Sequence, residues 1–481
     1  MKAVIVLTLL LVSVHTKAAQ PDITRVQLVH PPNGDMLHVA ERKQLYVSGF
    51  SQFERWLSVV DLNSFSARLL PLPEDAQFFA SAKLGADPKP QLVFLGLDGV
   101  SLLSEDERSA RQLLQTTSIY RVKDAARLRQ ADFVIDLGSG RSDFLIADFT
   151  KMHLFRQAED GRFSYYPLEL DAKVTTWRER PDYEGRQHFI ADVNLDGLAD
   201  LVFVRHGKFI QFIQGGDGSF KPEAEVASWP VTVSTEQEAD QRNDAGRSFQ
   251  AQYIDSLRDI TDIDGDGLPD LVIDREMLAD ALERNNSFRV HYGRQSPQGL
   301  QFAAEPDTVI TTDTSPIAVV IDDFNNDKRQ DFYIPSTHFG VGTLVRVLLR
   351  GSANLDIDFY LLNEQRQYAE KADFRQQATI EVSISNLRYD MPLFLLADTE
   401  GKGKKSLLVA DGDAEIDLYH QEQDSRRLFS RRSERIKLSL PRDARKAKVF
   451  DLTGNGKDDV VLPFDAREKP ALQNQLHLLL F

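Results

Sequence analysis

The sequence contains no cysteine in its 481 residues. This absence excludes disulfide frameworks, zinc sites with thiolate ligands and thiol nucleophiles. Basic side chains are in the minority, with 57 Lys and Arg against 73 Asp and Glu and a formal net charge of −16. We therefore do not expect nucleic acid as a partner, because proteins that bind it carry an excess of positive charge.

The apolar run at residues 3–14 is too short to cross a membrane. It follows Lys2 and precedes Ala18 and Ala19, whereas a spanning helix needs about 20 apolar residues. A positive start, a short apolar stretch and small residues are typical of a secretory signal peptide. We predict a signal peptide at residues 1–19, cleaved after Ala18 or Ala19, and an exported chain, periplasmic or extracellular, with no transmembrane segment. A buried N-terminal strand is the alternative.

A polar loop between two apolar segments recurs along the chain. The loop begins with an aspartate, and an aspartate, or in one copy a serine, follows eight residues later. These pairs are Asp192 and Asp200, Asp262 and Asp270, Asp323 and Asp331, Asp398 and Ser406, and Asp451 and Asp459. Two earlier copies, around residues 136–143 and 83–91, keep the apolar segments around degenerate loops. Such a repeat predicts one architecture built from similar units.

Each unit continues with two more short segments in which apolar and polar residues alternate. This pattern predicts a four-stranded antiparallel meander. A single sheet of this kind cannot bury both faces, so the units must stack, and radial stacking gives an all-β fold, a β-propeller. We favour eight blades, with residues 22–31 pairing with the last blade to close the ring. Seven blades is the alternative.

Residues 20–481 are predicted to form a single propeller domain. The blades lie near residues 35–75, 77–122, 131–173, 186–229, 250–312, 316–363, 378–440 and 445–481, the last completed by 22–31. Three longer stretches, 231–249, 275–287 and 364–377, interrupt the repeat, and we expect them on one rim, where binding surfaces are common. Helical spacing from Met277 to Leu282 predicts a short helix in the second stretch.

The loops at 192 and 262 have the composition of calcium sites. A tight loop that turns alternate side chains inward can surround one hard cation with oxygen atoms, the seventh residue giving its backbone carbonyl. The predicted ligands are Asp192, Asn194, Asp196, Leu198 and Asp200 in one loop and Asp262, Asp264, Asp266, Leu268 and Asp270 in the other. These loops lack the twelfth-position acid of an EF-hand and lead into a strand. The alternative is that Asp, Asn and Gly only form turns.

Three further loops match this pattern less well. Lys328 replaces the glycine of the sixth position, and Thr453 is a weaker ligand at the third. The predicted calcium ligands in these two loops are Asp323, Asn325, Asp327, Asp331, Asp451, Asn455 and Asp459. In the loop at 398, the ammonium group of Lys402 would replace the cation, so we expect no metal there.

The segments DVNLDGLADLVF and DIDGDGLPDLVI, and more loosely DFNNDKRQDFYI and DLTGNGKDDVVL, resemble the FG-GAP repeats of integrin alpha chains and the bacterial VCBS repeats. The motif match spans roughly residues 189–465. The resemblance implies a propeller with calcium in the hairpin between the first two strands of a blade. It also implies adhesion or partner binding more often than catalysis.

Neither HExxH nor GxSxG occurs, and the ten histidines are scattered. We therefore assign no catalytic residue and expect an exported calcium-binding propeller that binds a protein or glycan as an adhesion or scaffold module. The alternative is a polysaccharide-active lyase or hydrolase with its site at the channel mouth. Basic and aromatic side chains clustered there would favour the enzyme, whereas a broad apolar patch on the rim would favour the binding module.

Overall fold

The computed structural model describes most of the chain after the predicted leader. The described residues are 20–52, 54–85, 87, 89–104, 106–122, 127–177, 180–241, 253–278, 284–312, 315–337, 341–383, 388–422 and 428–481. The predicted signal peptide at residues 1–19 lies outside them.

Eight antiparallel sheets follow one another along the chain, which confirms the predicted eight-bladed propeller and rules out seven. Blade 1 consists of Met36–Val39, Gln44–Phe50, Arg55–Asp61 and Ser66–Leu70. Blade 2 consists of Phe78–Ala82, Gln91–Gly96, Gly99–Leu103 and Ala110–Gln115, with Arg129–Gln130 added parallel to its first strand. Blade 3 consists of Val134–Ile135, Asp143–Ala147, Met152–Gln157 and Phe163–Leu168. Blade 4 consists of His188–Ala191, Asp200–Arg205, Lys208–Phe212 and Glu225–Val226.

The remaining blades repeat this order, with longer strands in blades 5 and 6. Blade 5 consists of Tyr253–Thr261, Asp270–Leu278, Arg284–His291 and Thr308–Thr312. Blade 6 consists of Val320–Asp322, Asp331–Thr337, Ser352–Tyr360 and Phe374–Ser383, with Ser315–Pro316 and Arg388–Asp390 added to the same sheet. Blade 7 consists of Phe394–Ala397, Ser406–Asp411, Glu415–Tyr419 and Glu434–Lys437. Blade 8 consists of Lys448–Phe450, Asp459–Phe464, Gln475–Leu480 and, from the other end of the chain, Asp22–Gln27.

The other described elements are short. Two small hairpins pair Lys173–Trp177 with Arg180–Glu184 and Arg294–Ser296 with Gly299–Gln301. The helices are Glu236–Gln241 and Val341–Arg350, with 3-10 turns at Ala40–Arg42, Ile119–Val122 and Ala444–Lys446. None of the helices in the described part of the chain has the length and apolar character that a bilayer crossing requires.

The two ends of the chain close the ring together, as predicted. Asp22–Gln27 pairs antiparallel with Gln475–Leu480, in register from Asp22 opposite Leu480 to Gln27 opposite Gln475. Val26 and Leu28 are buried in the apolar cluster between blades 8 and 1. This pairing satisfies the edge of the last blade, which would otherwise expose unpaired backbone groups.

The hydrophobic core is divided among the blade interfaces. Among the described residues, eight apolar clusters occur, one between each pair of neighbouring blades, including the pair formed by blades 8 and 1. Between blades 6 and 7, for example, Phe359 packs with Leu407. The alternation seen in the sequence thus places the two faces of each sheet in two different clusters.

The predicted helix within residues 275–287 is wrong for its described part. Met277 and Leu278 continue the second strand of blade 5, where they pair with Asn285 and Arg284 of the third strand. Cross-strand pairing along the extended hairpin overrides the helical spacing of the apolar residues. Residues 279–283 lie outside the described part of the chain.

The three long stretches do not share one rim. Residues 275–287 begin in the second strand of blade 5 and end in the third, whereas residues 364–377 follow the third strand of blade 6 and end in the fourth. Successive connections of an antiparallel sheet lie at opposite ends, so these two stretches lie on opposite rims. The helix Val341–Arg350, which the sequence analysis missed, also connects the second and third strands, in blade 6.

The long strands of blades 5 and 6 form what we call the crown, defined as residues 253–257, 274–278, 284–289, 309–312, 352–356 and 378–383. Strands of eight to ten residues occur here, against five to seven for the central strands of the other blades. The acidic loops lie at the other ends of these strands, because each joins a first strand to a second. The crown therefore extends the rim opposite the acidic loops.

Candidate metal sites in the acidic hairpin loops

The five acidic loops lie on one rim, each between the first and second strands of a blade. The loop at 192 follows His188–Ala191 and leads into Asp200–Arg205, and the loop at 262 joins Tyr253–Thr261 to Asp270–Leu278. The loops at 323, 398 and 451 have the same position in blades 6, 7 and 8.

The first aspartate of each loop organises the loop backbone. In the loop at 262, Asp262 Oδ1 accepts hydrogen bonds from the amides of Gly265 and Asp266 at 2.8 and 3.1 Å, and Oδ2 accepts from Gly267 at 2.9 Å. Asp192 likewise accepts hydrogen bonds from the amides of Asp196 and Gly197, the fifth and sixth residues of its loop, at 3.0 and 2.7 Å. Gly267 has φ 88° and Gly197 has φ 86°, a region that favours glycine at the sixth position.

The ninth-position aspartates have a structural role that the sequence analysis missed. Asp270 is fully buried, and its oxygens accept hydrogen bonds from the amides of Ile263 and Gly293, both at 2.7 Å. The carboxylate therefore ties the start of its own loop to the residues after the third strand. The same two-sided arrangement occurs at Asp200, Asp331 and Asp459.

Burial raises the pKa of these clamping carboxyls. The pKa is raised to about 6 for Asp200, about 7 for Asp270 and about 8 for Asp331, first because burial disfavours the charged form. The amide hydrogen bonds lower it, whereas nearby loop carboxylates, such as Asp266 and Asp262 beside Asp270, raise it further. A bound cation would oppose this effect, because it stabilises ionised ligands.

The loop at 262 brings three carboxyl groups together. Asp262, Asp264 and Asp270 each place one oxygen within 4.8 Å of the others. Asp266 lies in the same loop, where its Oδ1 accepts from the amide of Leu268 at 2.9 Å. A donor set of oxygens alone, close together and partly buried, fits a hard cation such as Ca²⁺.

The loop at 192 has the same local geometry with one amide in place of a carboxylate. Asp196 receives the amide of Leu198 at 2.9 Å, which matches the contact between Leu268 and Asp266. The amide group of Asn194 donates to Asp196 Oδ2 at 2.9 Å, and the Asn194 side-chain oxygen accepts from the amide of Asp196 at 3.0 Å. These hydrogen bonds pair the polar groups of the loop without an ion. A simple turn and a calcium site would therefore have the same hydrogen bonds in this loop.

The loop at 323 is partly neutralised by its own chain. Arg329 pairs with Asp327 at 2.5 Å, and Lys328 occupies the sixth position with φ 71°. Asp323 accepts from the amides of Asp327 and Lys328 at 3.1 and 2.8 Å. The side-chain oxygen of Asn325 is buried without a hydrogen-bond partner, and such an atom is available to a cation.

The loop at 451 uses its amide side chain to hold the residue after the third strand of blade 8. Asn455 Nδ2 donates to the carbonyl of Phe481 at 2.9 Å, and Asp451 accepts from the amides of Gly454, Asn455 and Gly456. In the loop at 398, the ammonium group of Lys402 lies 2.8 Å from Glu400. A positive side chain therefore stands among the loop's ligand positions there.

Among the cavities formed by the described residues, two that lie away from the acidic loops are large enough to hold part of a ligand. One, of about 400 Å³, borders the first strands of blades 4 to 6 and is lined by Gln187, Ser256, Leu257, Arg258, Asp259, Asp274, Val319 and Ile321. The other, of about 350 Å³, opens on the crown of blade 5 and is lined by Tyr253, Arg275, Met277, Asn286, Ser287, Arg289, Val309 and Thr311. The lining of the first cavity includes one basic and no aromatic side chain.

Comparison with known proteins identifies no relative by sequence. No family model matches the chain, so the FG-GAP and VCBS resemblance stays a prediction. No curated protein matches it. Among solved structures, the chain is similar to an Agrocybe aegerita lectin that recognises non-reducing terminal N-acetylglucosamine, at 12% identity over 87% of this chain and 95% of that one, with a TM-score of 0.43.

Two other similar structures are described as a propeller and a matrix protein. The Dos1 propeller matches at 9% identity over 95% of each chain, with a TM-score of 0.32. The V. cholerae biofilm matrix protein Bap1 matches at 11% identity over 94% of this chain and 76% of that one, with a TM-score of 0.26. Similarity this low carries no functional argument. The eight-bladed fold itself suits a general binding or scaffold role.

Proposed function

We propose that the chain is a calcium-binding propeller of the FG-GAP and VCBS type, with metal held in the acidic loops. The observation that carries this proposal is the grouping of the oxygens of Asp262, Asp264 and Asp270 within 4.8 Å. The loop at 192 has the same backbone geometry, and the loops at 323 and 451 have most of the ligand residues. Oxygen donors in a flexible loop suit calcium better than magnesium, which demands near-ideal octahedral geometry.

Calcium at these positions would strengthen the clamp that each ninth-position aspartate forms. Asp270 links its loop to the end of the third strand, but its charge is disfavoured by burial and by Asp262 and Asp266. A divalent cation among these carboxylates would offset the repulsion and keep the clamp ionised. The metal thus supplies charge compensation, while the aspartates hold the strands together.

Calcium titration by isothermal calorimetry tests this proposal. We compare the unmodified chain with two double variants, Asp192→Asn with Asp196→Asn and Asp262→Asn with Asp266→Asn. Each double variant should lose the binding event of its own loop and keep that of the other loop. The matched control is Asp217→Asn with Asp160→Asn, which changes two exposed turn aspartates outside the acidic loops. Binding that is absent from the unmodified chain, or that survives in both loop variants unchanged, would contradict the proposal for these loops.

We also propose that the crown binds a macromolecular ligand, a protein or a glycan, as an adhesion or scaffold module. Its cleft on blade 5 combines an apolar wall, which includes Met277 and Val309, with two guanidinium groups. Arg275 lies 4.9 Å above the Tyr253 ring, which is 40% exposed. On the neighbouring helix of blade 6, Leu348 and Leu349 are 57% and 79% exposed. Exposed apolar groups beside fixed polar groups are typical of interaction sites.

A glycan array, and chemical cross-linking of the protein in its source cells, test the two ligand classes. The variant Tyr253→Ala with Val309→Asp should lose binding in whichever assay detects a ligand. The control Leu69→Asp changes a similarly exposed apolar side chain on blade 1 and should keep binding. Equal binding by both variants would show that the crown is not the site.

Export is proposed from the leader alone. N-terminal sequencing of the protein recovered from periplasmic and extracellular fractions should give a chain that begins after Ala18 or Ala19. A chain that retains Met1 and stays with the cytoplasmic fraction would contradict this proposal.

A further inference from the structure

Arg366 of blade 6 places its guanidinium group against the acidic loop of blade 5. Its Nη2 atom contacts Asp264 Oδ2 and lies 3.4 Å from Asp266 Oδ2. The Asp264 side chain is only 1% exposed, so water screens this contact poorly. A positive group therefore already contacts two of the four carboxylates of this loop.

Several contacts fix Arg366 in this position. Its backbone is left-handed, with φ 60°, a conformation that residues other than glycine rarely adopt. The Arg366 amide donates to the carbonyl of Asn363 at 3.0 Å, and the Tyr292 hydroxyl donates to the Arg366 carbonyl at 2.8 Å. The guanidinium also lies 4.3 Å above the Tyr292 ring, in cation–π contact. Blade 5 therefore holds both ends of a residue that blade 6 supplies.

The loop at 192 provides an internal comparison. It has three carboxylates, because Asn194 stands where the loop at 262 has Asp264. Within the described residues, no lysine or arginine is paired with Asp192, Asp196 or Asp200, whereas the four carboxylates at 262 have Arg366. The guanidinium thus gives the loop at 262 the same net charge as the loop at 192. The extra carboxylate and the extra cation balance each other.

We propose that Arg366 is an internal counter-ion that competes with calcium for the loop at 262. This inference rests on the proposed calcium function. Without metal, the guanidinium neutralises Asp264 and Asp266. Calcium must displace it to use the same oxygens, so the loop at 262 binds metal more weakly than its four carboxylates alone would. Arg366 thereby brings the calcium affinity of the loop at 262 closer to that of the loop at 192.

The test is the substitution Arg366→Gln, made in the Asp192→Asn, Asp196→Asn background so that the loop at 192 is silent. In a calorimetric calcium titration, this variant should bind at least about tenfold more tightly, because the guanidinium group no longer repels the divalent cation or holds oxygens of Asp264 and Asp266. In EDTA, the same variant should melt at a lower temperature, because four carboxylates are left without a counter-ion. The opposite directions of these two effects distinguish a counter-ion from a residue that only stabilises the fold.

Arg294→Gln is the matched control. Arg294 lines the same groove as Arg366 but pairs with Asp307, at 2.5 Å, and not with the acidic loop. It should leave calcium affinity unchanged. Equal or weaker calcium binding by Arg366→Gln would overturn the inference even if calcium binds the parent. If calcium binds neither loop, the proposed function fails. The counter-ion role is then tested by the melt in EDTA alone, and a melting temperature of Arg366→Gln no lower than that of Arg294→Gln overturns it.

Discussion

The buried carboxyl of Asp270 should make the stability of the metal-free protein depend on pH. Its pKa is raised from 3.8 to about 7, first by burial. The folded state therefore binds this proton more tightly than the unfolded state does. The resulting stability is fully present below pH 3.8 and is lost as the pH rises through about 7.

The magnitude follows from the size of this shift. Three pKa units correspond to about 4 kcal/mol in the free energy of unfolding, at 1.36 kcal/mol per unit. The perturbation is Asp270→Asn, which keeps the size of the side chain but does not titrate. In EDTA, the free energy of unfolding of the parent should fall by about 4 kcal/mol relative to that of this variant as the pH rises from 4 to 8. In excess calcium at pH 8, the parent should instead be more stable than the variant, because the variant lacks a calcium ligand.

Urea denaturation of both proteins at several pH values, in EDTA and in calcium, measures these free energies. Asp143→Asn is the control, because Asp143 is equally buried and accepts the amide of Gln157 at 2.8 Å, but its loop has no set of ligand acids. Calcium should not change the difference between this variant and the parent. A pH-independent difference between Asp270→Asn and the parent in EDTA would refute the reasoning.

Two further predictions concern ring closure and acid stability. Leu28→Ala removes a buried side chain from the apolar cluster of the closing strand and should lower the free energy of unfolding, measured by urea titration, by about 2 to 5 kcal/mol. The control Ile23→Ala changes an exposed side chain and should lower it by less than about 0.5 kcal/mol. Similar losses for the two variants would contradict closure by this strand. Burial and the charge of Arg25 lower the pKa of His477 from 6.5 to about 4, so its contribution is present above pH 6.5 and lost as the pH falls through about 4. His477→Phe should remove about 3 kcal/mol of acid sensitivity, and an unchanged acid transition would contradict this.

Local sequence patterns were sufficient to predict the fold. The loop aspartates, at a spacing of eight, mark the hairpin between the first two strands, and alternation marks the strands that follow. The blade count and the closing strand followed from assigning every strand. The same local reasoning failed at Met277, because helical spacing of apolar residues cannot be distinguished from strand spacing in so short a segment.

Contacts between distant residues were beyond the sequence. The ninth-position aspartates could be identified as ligand candidates, but their bonds to the amides of Gln214, Gly293, Leu362 and Phe481 depend on where the third strand ends. Arg366 stands about a hundred residues after the loop that it contacts, and no local signal marks it. A lysine or arginine brought by a neighbouring blade becomes visible only once the blades are packed.

Thermal unfolding in EDTA and across a calcium titration, with magnesium as the control, tests the central claim most directly. A ligand that binds only the folded state adds about 2.7 kcal/mol at a hundredfold excess over its Kd. The account predicts that calcium raises the midpoint by several degrees and that magnesium does not. A midpoint that neither ion moves would contradict the claim and would leave the loops at 192 and 262 as turns in a metal-free propeller.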